Sequence, residues 1–181
     1  MDILPLYANG KKVQKLMGIN ANREYKKITD IPECVQNAFV AIEDARFYKH
    51  SGVDLQGILR AVFSALSDEK MTQGASTITQ QLLKNQVFGG GNEKSFFGKV
   101  SRKIQEQSLA IKLESTIDKK KILEYYLNTI NLGQNTMGVE TASKRYFGKS
   151  VSKLTVSEAA VLAGITQNPT EYNPITEQQN N

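Results

Sequence analysis

The chain has 181 residues, 40% hydrophobic and 23% charged, and its 23 Lys and Arg against 18 Asp and Glu give a net charge of +5. This composition excludes a disordered protein, and a chain of this length buries roughly 70% of its unfolded surface as one domain or two small lobes. One cysteine, Cys34, and one histidine, His50, exclude an internal disulfide framework and zinc sites of the Cys/His type.

The first part of the chain predicts an N-terminal segment followed by two helices. Residues 1–29 are mixed polar and apolar, and we interpret them as loop or short strand preceding a domain over 30–175. Asp30, with Pro32 and Glu33 after it, is typical of a helix start. Asp54 can cap a second helix. Apolar residues recur at helical spacing in both helices, at Val35, Phe39 and Ile42 in the first and at Leu55, Ile58, Leu59, Val62 and Leu66 in the second.

Five more helices are predicted, so the fold class is mainly α. Thr77 and Gln80 fit a capping box that opens a third helix through about Val87, and a glycine-rich break follows at 89–92. A fourth helix spans about 97–114, and its apolar positions are Val100, Ile104 and Ile111. A fifth helix is predicted from about Thr116, and a sixth over 138–147, where Gly148 ends the helix. A seventh is predicted over 154–165, with Thr155 and Glu158 as its capping box.

The ends of the chain carry weaker signals. Pro169 and Pro174 are expected to end regular structure, and residues 176–181 are interpreted as a tail or linker. No run approaches the ~18 apolar residues of a membrane span, and no signal peptide is recognisable. We expect the natural protein to be longer than this chain.

Three groups of polar residues could carry chemistry. Glu43 and Asp44 end the apolar stripe of the first helix, where partial burial suits a general acid or base, although an arbitrary Glu-Asp pair is more often a solvated helix end. In residues 74–81, small side chains precede a capped helix start, which is a candidate anion site, although an ordinary N-cap with a solvated polar face is the more common case. One face of that helix carries Thr77, Gln81 and Lys84, with Asn85 beside them.

The third group is a stripe on the fourth helix. Offsets of three, four and seven residues place Lys99, Arg102, Lys103 and Glu106 on one face, so Glu106 is surrounded by positive charge. The plain alternative is a surface ladder of ion pairs that contributes only tenths of a kcal/mol. His50 is expected to be a hydrogen-bonded structural residue, Tyr125 and Tyr126 to pack in the core, and Cys34 to be a buried small apolar side chain.

Taken together, these strings resemble the glycosyltransferase domain of family 51, the peptidoglycan glycosyltransferases of class A penicillin-binding proteins and their monofunctional relatives. Five blocks match in order over roughly residues 30–175. They are Glu43-Asp-Ala-Arg-Phe-Tyr-Lys-His50; Gly74-Ala-Ser-Thr-Ile-Thr-Gln-Gln81 with Lys84-Asn85; Arg102-Lys-Ile-Gln-Glu106; Lys121-Ile-Leu-Glu-Tyr-Tyr-Leu-Asn128; and Leu162-Ala-Gly164 with Tyr172-Asn-Pro174.

The resemblance implies a lysozyme-like, two-lobed helical domain with a membrane-facing smaller lobe. Its cleft would bind lipid II and the growing lipid-linked glycan chain. The acceptor 4-hydroxyl would attack the anomeric carbon of the donor with inversion, and polyprenyl diphosphate would leave. The resemblance also implies the extracytoplasmic face of the bacterial cell membrane, with an anchor before residue 1, and leaves open whether a transpeptidase domain follows.

The resemblance also assigns roles to residues. Glu43 matches the general base, and Glu106 matches the second essential carboxylate. Lys84, Arg102 and Lys103 would offset the charge of the diphosphate. The other substrate-binding matches are Asp44, Arg46, Asp54, Arg60, Ser76, Thr77, Gln81 and Asn85, with Lys94 as the best match to an Arg of the family despite a longer spacer around it. No cofactor is expected to be required, and a divalent cation near Glu106 is allowed.

Two other functions compete. A lysozyme-like peptidoglycan hydrolase also uses acidic residues in a cleft, but it has no diphosphate to neutralise, so the Lys84, Arg102 and Lys103 cluster favours transfer. A helical nucleic-acid-binding module fits the net charge, but no predicted helix has a dense basic face, so no nucleic-acid partner is expected.

Overall fold

The computed structural model describes residues 6–8, 11–13, 24–66, 75–90, 95–134, 136–169, 172 and 174–177. The described residues are predominantly helical, which confirms the predicted mainly α fold class. Two short antiparallel strands, β1 (Leu6–Ala8) and β2 (Lys11–Val13), pair with Leu6 opposite Val13. The helices are α1 (Glu33–Glu43), α2 (Leu55–Leu66), α3 (Ile78–Gln86), α4 (Phe96–Glu114), α5 (Lys119–Thr129), α6 (Val139–Phe147), α7 (Val156–Gly164) and the short α8 (Pro174–Glu177).

The core forms around α5. Its residues Ile122, Leu123 and Leu127 are fully buried, and each such side chain contributes about 1.5–3 kcal/mol through removal from water. Helix α3 packs against both α4 and α5, and α1 packs against α7. The packing of α1 on α7, together with hydrogen bonds that join Glu43 and Asp44 to α3, places the end of α1, the start of α3 and the end of α7 beside one another.

The helix ends follow the predicted capping chemistry with three exceptions. Asp30 does not cap α1, because it lies in a 3₁₀ turn (Ile28–Asp30) and Pro32 stands at the N-cap without a side-chain bond. Helix α5 begins after Asp118, whose carboxylate accepts from the N–H of Lys121, and not at Thr116. Pro174 begins α8, so the prediction that it ends regular structure is wrong.

Two other predicted caps agree with the structure, whereas the capping box predicted at Thr77 and Gln80 forms only in part, because the Nε2 of Gln80 donates to the carbonyl of Gly52 at 3.3 Å. Thr77 accepts a hydrogen bond from the N–H of Gln80 at the start of α3. Thr155 and Glu158 form a reciprocal capping box on α7. Gly148 ends α6 in the left-handed conformation with φ of 66°, where a residue without a side chain is favoured.

Two predicted apolar stripes face solvent and not the core. On α2 the exposed side chains are Leu55, Leu59, Val62, Phe63 and Leu66. On α4 they are Phe96, Phe97, Val100, Ile104 and Ile111. Periodicity identifies an apolar helix face, but it does not identify what covers that face. In the part of the chain that the structure describes, no helix is long and apolar enough to cross a membrane.

Candidate active site

Glu43 is the last residue of α1, and three side chains donate hydrogen bonds to its half-buried carboxylate. The Nε2 of Gln81, on α3, donates to Oε2 at 2.7 Å. The Nε2 of Gln167 donates to Oε1 at 3.1 Å, and the hydroxyl of Thr166 also donates to Oε1. The sequence placed Glu43 at the edge of an apolar stripe, but the structure surrounds its carboxylate with polar donors from two other parts of the chain.

Asp44 connects the end of α1 to the start of α3. Its carboxylate is 7% exposed and accepts from the N–H of Ile78 at 3.0 Å and from Nε2 of His50 at 2.9 Å. The Nδ1 of His50 accepts from the N–H of Gly52 at 3.2 Å, so the proton of a neutral imidazole resides on Nε2. His50 is therefore the hydrogen-bonded structural residue that the sequence predicted.

The start of α3 is less open to an anion than the sequence suggested. The N–H of Ile78 is bound by Asp44, and the N–H of Gln80 is bound by the hydroxyl of Thr77 at 3.2 Å. The hydroxyl of Thr77 itself donates to the carbonyl of Gly52 at 2.8 Å. Two donors that the sequence analysis left for a ligand are thus satisfied within the protein.

A pocket opens beside Glu43. Arg46 and Asp54 form an ion pair in the wall of this pocket. The carboxylate of Asp54 also accepts a hydrogen bond from the N–H of Gly57 at 3.0 Å, and this bond caps α2. Burial alone raises the pKa of Asp54, but the Gly57 N–H and the Arg46 guanidinium outweigh it, so the pKa lies below its ordinary value. The predicted residues that line this pocket are Glu43, Asp44, Arg46, Asp54, Arg60, Ser76 and Thr77.

A second pocket lies along α3 and α4. The predicted residues in its wall are Ser76, Gln81, Lys84, Asn85 and Glu106, together with Gln80. The two pockets share Ser76, and Gln81 in the second pocket bonds to Glu43 in the first. The two pockets adjoin at Ser76 and are together called the groove, which Glu43, Glu106 and Lys84 line.

Glu106 is 1% exposed and is held by two cations of its own helix. Arg102 pairs with Oε1, and Nζ of Lys103 lies 3.4 Å from Oε2. Lys103 also donates to Oγ of Ser76 at 2.8 Å and to Oε1 of Gln80 at 3.0 Å. Burial lowers the pKa of Lys103, and Glu106 partly opposes that effect. Lys103 is thus bound to three protein groups, Ser76, Gln80 and Glu106. Lys84, by contrast, lines the second pocket.

Three residues at the site were missed or assigned only to packing by the sequence analysis. Thr166 and Gln167 follow α7, and their only sequence signal is their place next to the Leu162-Ala-Gly164 block. Tyr126 packs in the core as predicted, but its hydroxyl also donates to Oε1 of Gln81 at 3.4 Å. Burial, and then the charges of Glu43 and Asp44, raise the pKa of Tyr126 well above its ordinary value, so it stays a protonated donor.

Lys94 lies outside the described residues, so its match to the family's Arg stays a prediction. Among the residues that are described, no group of three or more His, Cys, Asp and Glu could hold a metal ion. The carboxylate of Glu106 already pairs with Arg102 and Lys103, and a divalent cation there would have to displace them. The surroundings of Glu106 are therefore a poor fit for a divalent cation.

Comparison with known proteins identifies close relatives. A family model described as Transglycosylase matches residues 9–181. Penicillin-binding protein 1A of Neisseria lactamica is 46% identical over 172 residues, which cover 95% of this chain and 21% of that protein. Penicillin-binding protein 1A of Clostridium acetobutylicum is 45% identical over 179 residues, which cover 95% of this chain and 22% of that protein. The chain thus spans about a fifth of the length of the curated relatives it matches.

Proposed function

The chain belongs to the transglycosylase family, and we propose that it polymerises lipid II into glycan strands by inverting glycosyl transfer with release of polyprenyl diphosphate. The observation that carries this proposal is the groove formed by the two adjoining pockets. A half-buried carboxylate, Glu43, stands in one part of it, and a lysine, Lys84, stands in the other. Glycosyl transfer from a diphosphate donor needs a base at the acceptor hydroxyl and a cation at the leaving diphosphate. The distance between the base and the cation must be one that a bound substrate can span.

Glu43 acts as the general base in this proposal. It removes the proton of the acceptor 4-hydroxyl as the hydroxyl oxygen attacks the anomeric carbon, and such a group typically accelerates a reaction about 10²–10⁴-fold. Gln81 fixes the carboxylate from one side through its 2.7 Å hydrogen bond, and Tyr126 fixes Gln81. The base is therefore positioned before substrate binds, which lowers the reorganisation needed in the transition state.

Lys84 stabilises the departing diphosphate. Negative charge grows on the bridging oxygen as the bond to the anomeric carbon breaks, and a cation already at that position stabilises the transition state more than the ground state. Lys103, with Ser76 and Gln80 bound to its ammonium, holds α4 against α3 and keeps positive charge behind this part of the groove. Ser76 and Asn85 supply hydrogen-bonding groups for phosphate or sugar.

Incubation of the protein with lipid II in detergent tests the reaction directly. We expect lipid-linked glycan polymer, whereas release of short fragments from preformed glycan without polymer formation would favour the lysozyme-like hydrolase. Lys84→Ala should lower the affinity for a diphosphate-bearing lipid by roughly 10- to 150-fold, because a charge-assisted contact contributes roughly 1.5–3 kcal/mol. Lys153→Ala, an exposed lysine outside both pockets, is the matched control. Equal affinities for the two variants would remove Lys84 from the phosphate site.

We further propose that the domain works at the extracytoplasmic membrane surface through the exposed apolar faces of α2 and α4. Contiguous large apolar side chains that are exposed to solvent mark an interaction surface. A lipid-linked substrate resides in the membrane, so the enzyme has to bind it at the membrane surface. The double variant Leu59→Ser and Phe63→Ser should lose co-flotation with anionic vesicles. Val156→Ser, an exposed apolar residue on α7, should retain it, and equal flotation of the two would contradict the assignment.

A further inference from the structure

The two oxygens of the Glu43 carboxylate have different surroundings. Oε1 accepts from the hydroxyl of Thr166 and from the amide of Gln167 at 3.1 Å. Among the described residues, Oε2 accepts one hydrogen bond, from Gln81 at 2.7 Å. A carboxylate oxygen has two lone pairs, so Oε1 is fully engaged, whereas Oε2 keeps one lone pair for another donor.

The hydroxyl of Thr166 has one proton, and two acceptors lie within its reach, one of them Oε1 of Glu43. Oγ1 also lies 2.8 Å from the carbonyl oxygen of Ala163. That carbonyl already accepts from the backbone N–H of Thr166 at 3.2 Å. Because the carboxylate carries charge and the carbonyl does not, the hydroxyl proton forms the stronger bond with Oε1.

We infer that Thr166 and Gln167 are positioning residues for the general base, which occupy Oε1 and so direct proton acceptance to Oε2. The inference rests on the proposed function. In the step, the acceptor O–H bond breaks and its proton bonds to Oε2. The acceptor oxygen bonds to the anomeric carbon, and the bond from that carbon to the diphosphate oxygen breaks. Both donors stay on Oε1 throughout, so no hydrogen bond has to reorganise.

Replacement of the Thr166 hydroxyl tests the inference. Thr166→Val keeps the shape and removes the donor, and we expect kcat for lipid II polymerisation to fall about 10-fold with KM within about twofold. The acid limb of the pH profile of kcat should move to higher pH, because the charged carboxylate has lost a donor. Thr166→Ser restores the hydroxyl and should recover kcat to within about threefold of wild type.

Gln167→Leu is the second variant. Its side chain is exposed, so the fold does not depend on it, and kcat should again fall several-fold with the same movement of the acid limb. Gln105→Leu, an exposed glutamine on α4, is the matched control and should keep the wild-type profile. If Thr166→Val does not fold, Gln167→Leu decides the question by itself.

The outcomes separate this inference from the proposed function. A wild-type protein that forms no polymer from lipid II contradicts the proposed function. A wild-type protein that polymerises, together with Thr166→Val and Gln167→Leu variants that keep its kcat and acid limb, overturns the positioning role. A Thr166→Ser variant as slow as Thr166→Val also overturns it, because the hydroxyl would then not be the group that matters.

Discussion

Glu43→Gln removes the proposed base while changing one atom. The neutral amide keeps the size of the carboxylate, but it cannot take up the acceptor proton. We expect polymerisation of lipid II to fall about 10²–10⁴-fold, the usual contribution of a general base, which corresponds to roughly 3–5 kcal/mol in the activation barrier. Binding of lipid II should change little, since Lys84 and the rest of the groove are untouched.

The structure also gives the expected loss of stability. The amide oxygen can stay with Thr166 and Gln167, so the new amide nitrogen faces Nε2 of Gln81, which donates to Oε2 at 2.7 Å in the native protein. Two donors then oppose each other, and one hydrogen bond to a charged group is lost. This costs about 1–2 kcal/mol, or roughly 2–8 °C in Tm for a domain of this size.

A fluorescent lipid II polymerisation assay and thermal unfolding measure the two effects. Glu33→Gln is a matched control, because Glu33 is an exposed glutamate at the other end of the same helix. It should keep full activity and lose at most about 1 kcal/mol from the helix-dipole interaction. A folded Glu43→Gln variant that polymerises within about 10-fold of wild type would refute the base assignment.

Two further predictions concern stability. Gly52 has φ of 92°, and a Cβ there would lie 2.6 Å from the backbone of α4, so Gly52→Ala should destabilise the fold by about 3 kcal/mol or more in urea unfolding. Gly148 also has a positive φ, but no atom lies near the position of an added Cβ, so Gly148→Ala should lower the free energy of unfolding by only about 1 kcal/mol. Equal losses in the two variants would show that the close approach of Gly52 to α4 is unimportant. The ammonium of Lys149, and then the Thr155 N–H, lower the pKa of Glu158 from 4.5 to about 2. The stability from this lowered pKa is complete above pH 4.5 and is lost as the pH falls toward 2, so an NMR titration of the Glu158 carboxyl should show a midpoint near 2 that rises in Lys149→Ala.

Much of the local structure could be predicted because it depends on neighbouring residues. A Thr three residues before a Glu favours a capping box through contacts within a single turn, as at Thr155 and Glu158. A glycine that follows an amphipathic run can take the left-handed conformation that ends a helix, as Gly148 does. The mainly α fold class follows from the same local signals.

The polar cluster at the site could be predicted only in part. Asp44 was expected at the groove, but its hydrogen bond with the N–H of Ile78 depends on a contact between segments 34 residues apart. The same holds for Lys103, which reaches Ser76 across 27 positions of sequence. Spacing along one helix indicates which residues share a face, and it cannot show which partners another helix brings to them.

The sequence by itself determined helices α1 to α7, most of their caps and the polar residues from which a site could be built, because these depend on contacts within a few positions of the chain. Only the tertiary structure decided what surrounds Glu43. Thr166 and Gln167 reach its carboxylate from more than 120 residues away because α7 packs on α1. Only the tertiary structure showed that the apolar faces of α2 and α4 are exposed, because an apolar stripe is buried only if another element covers it.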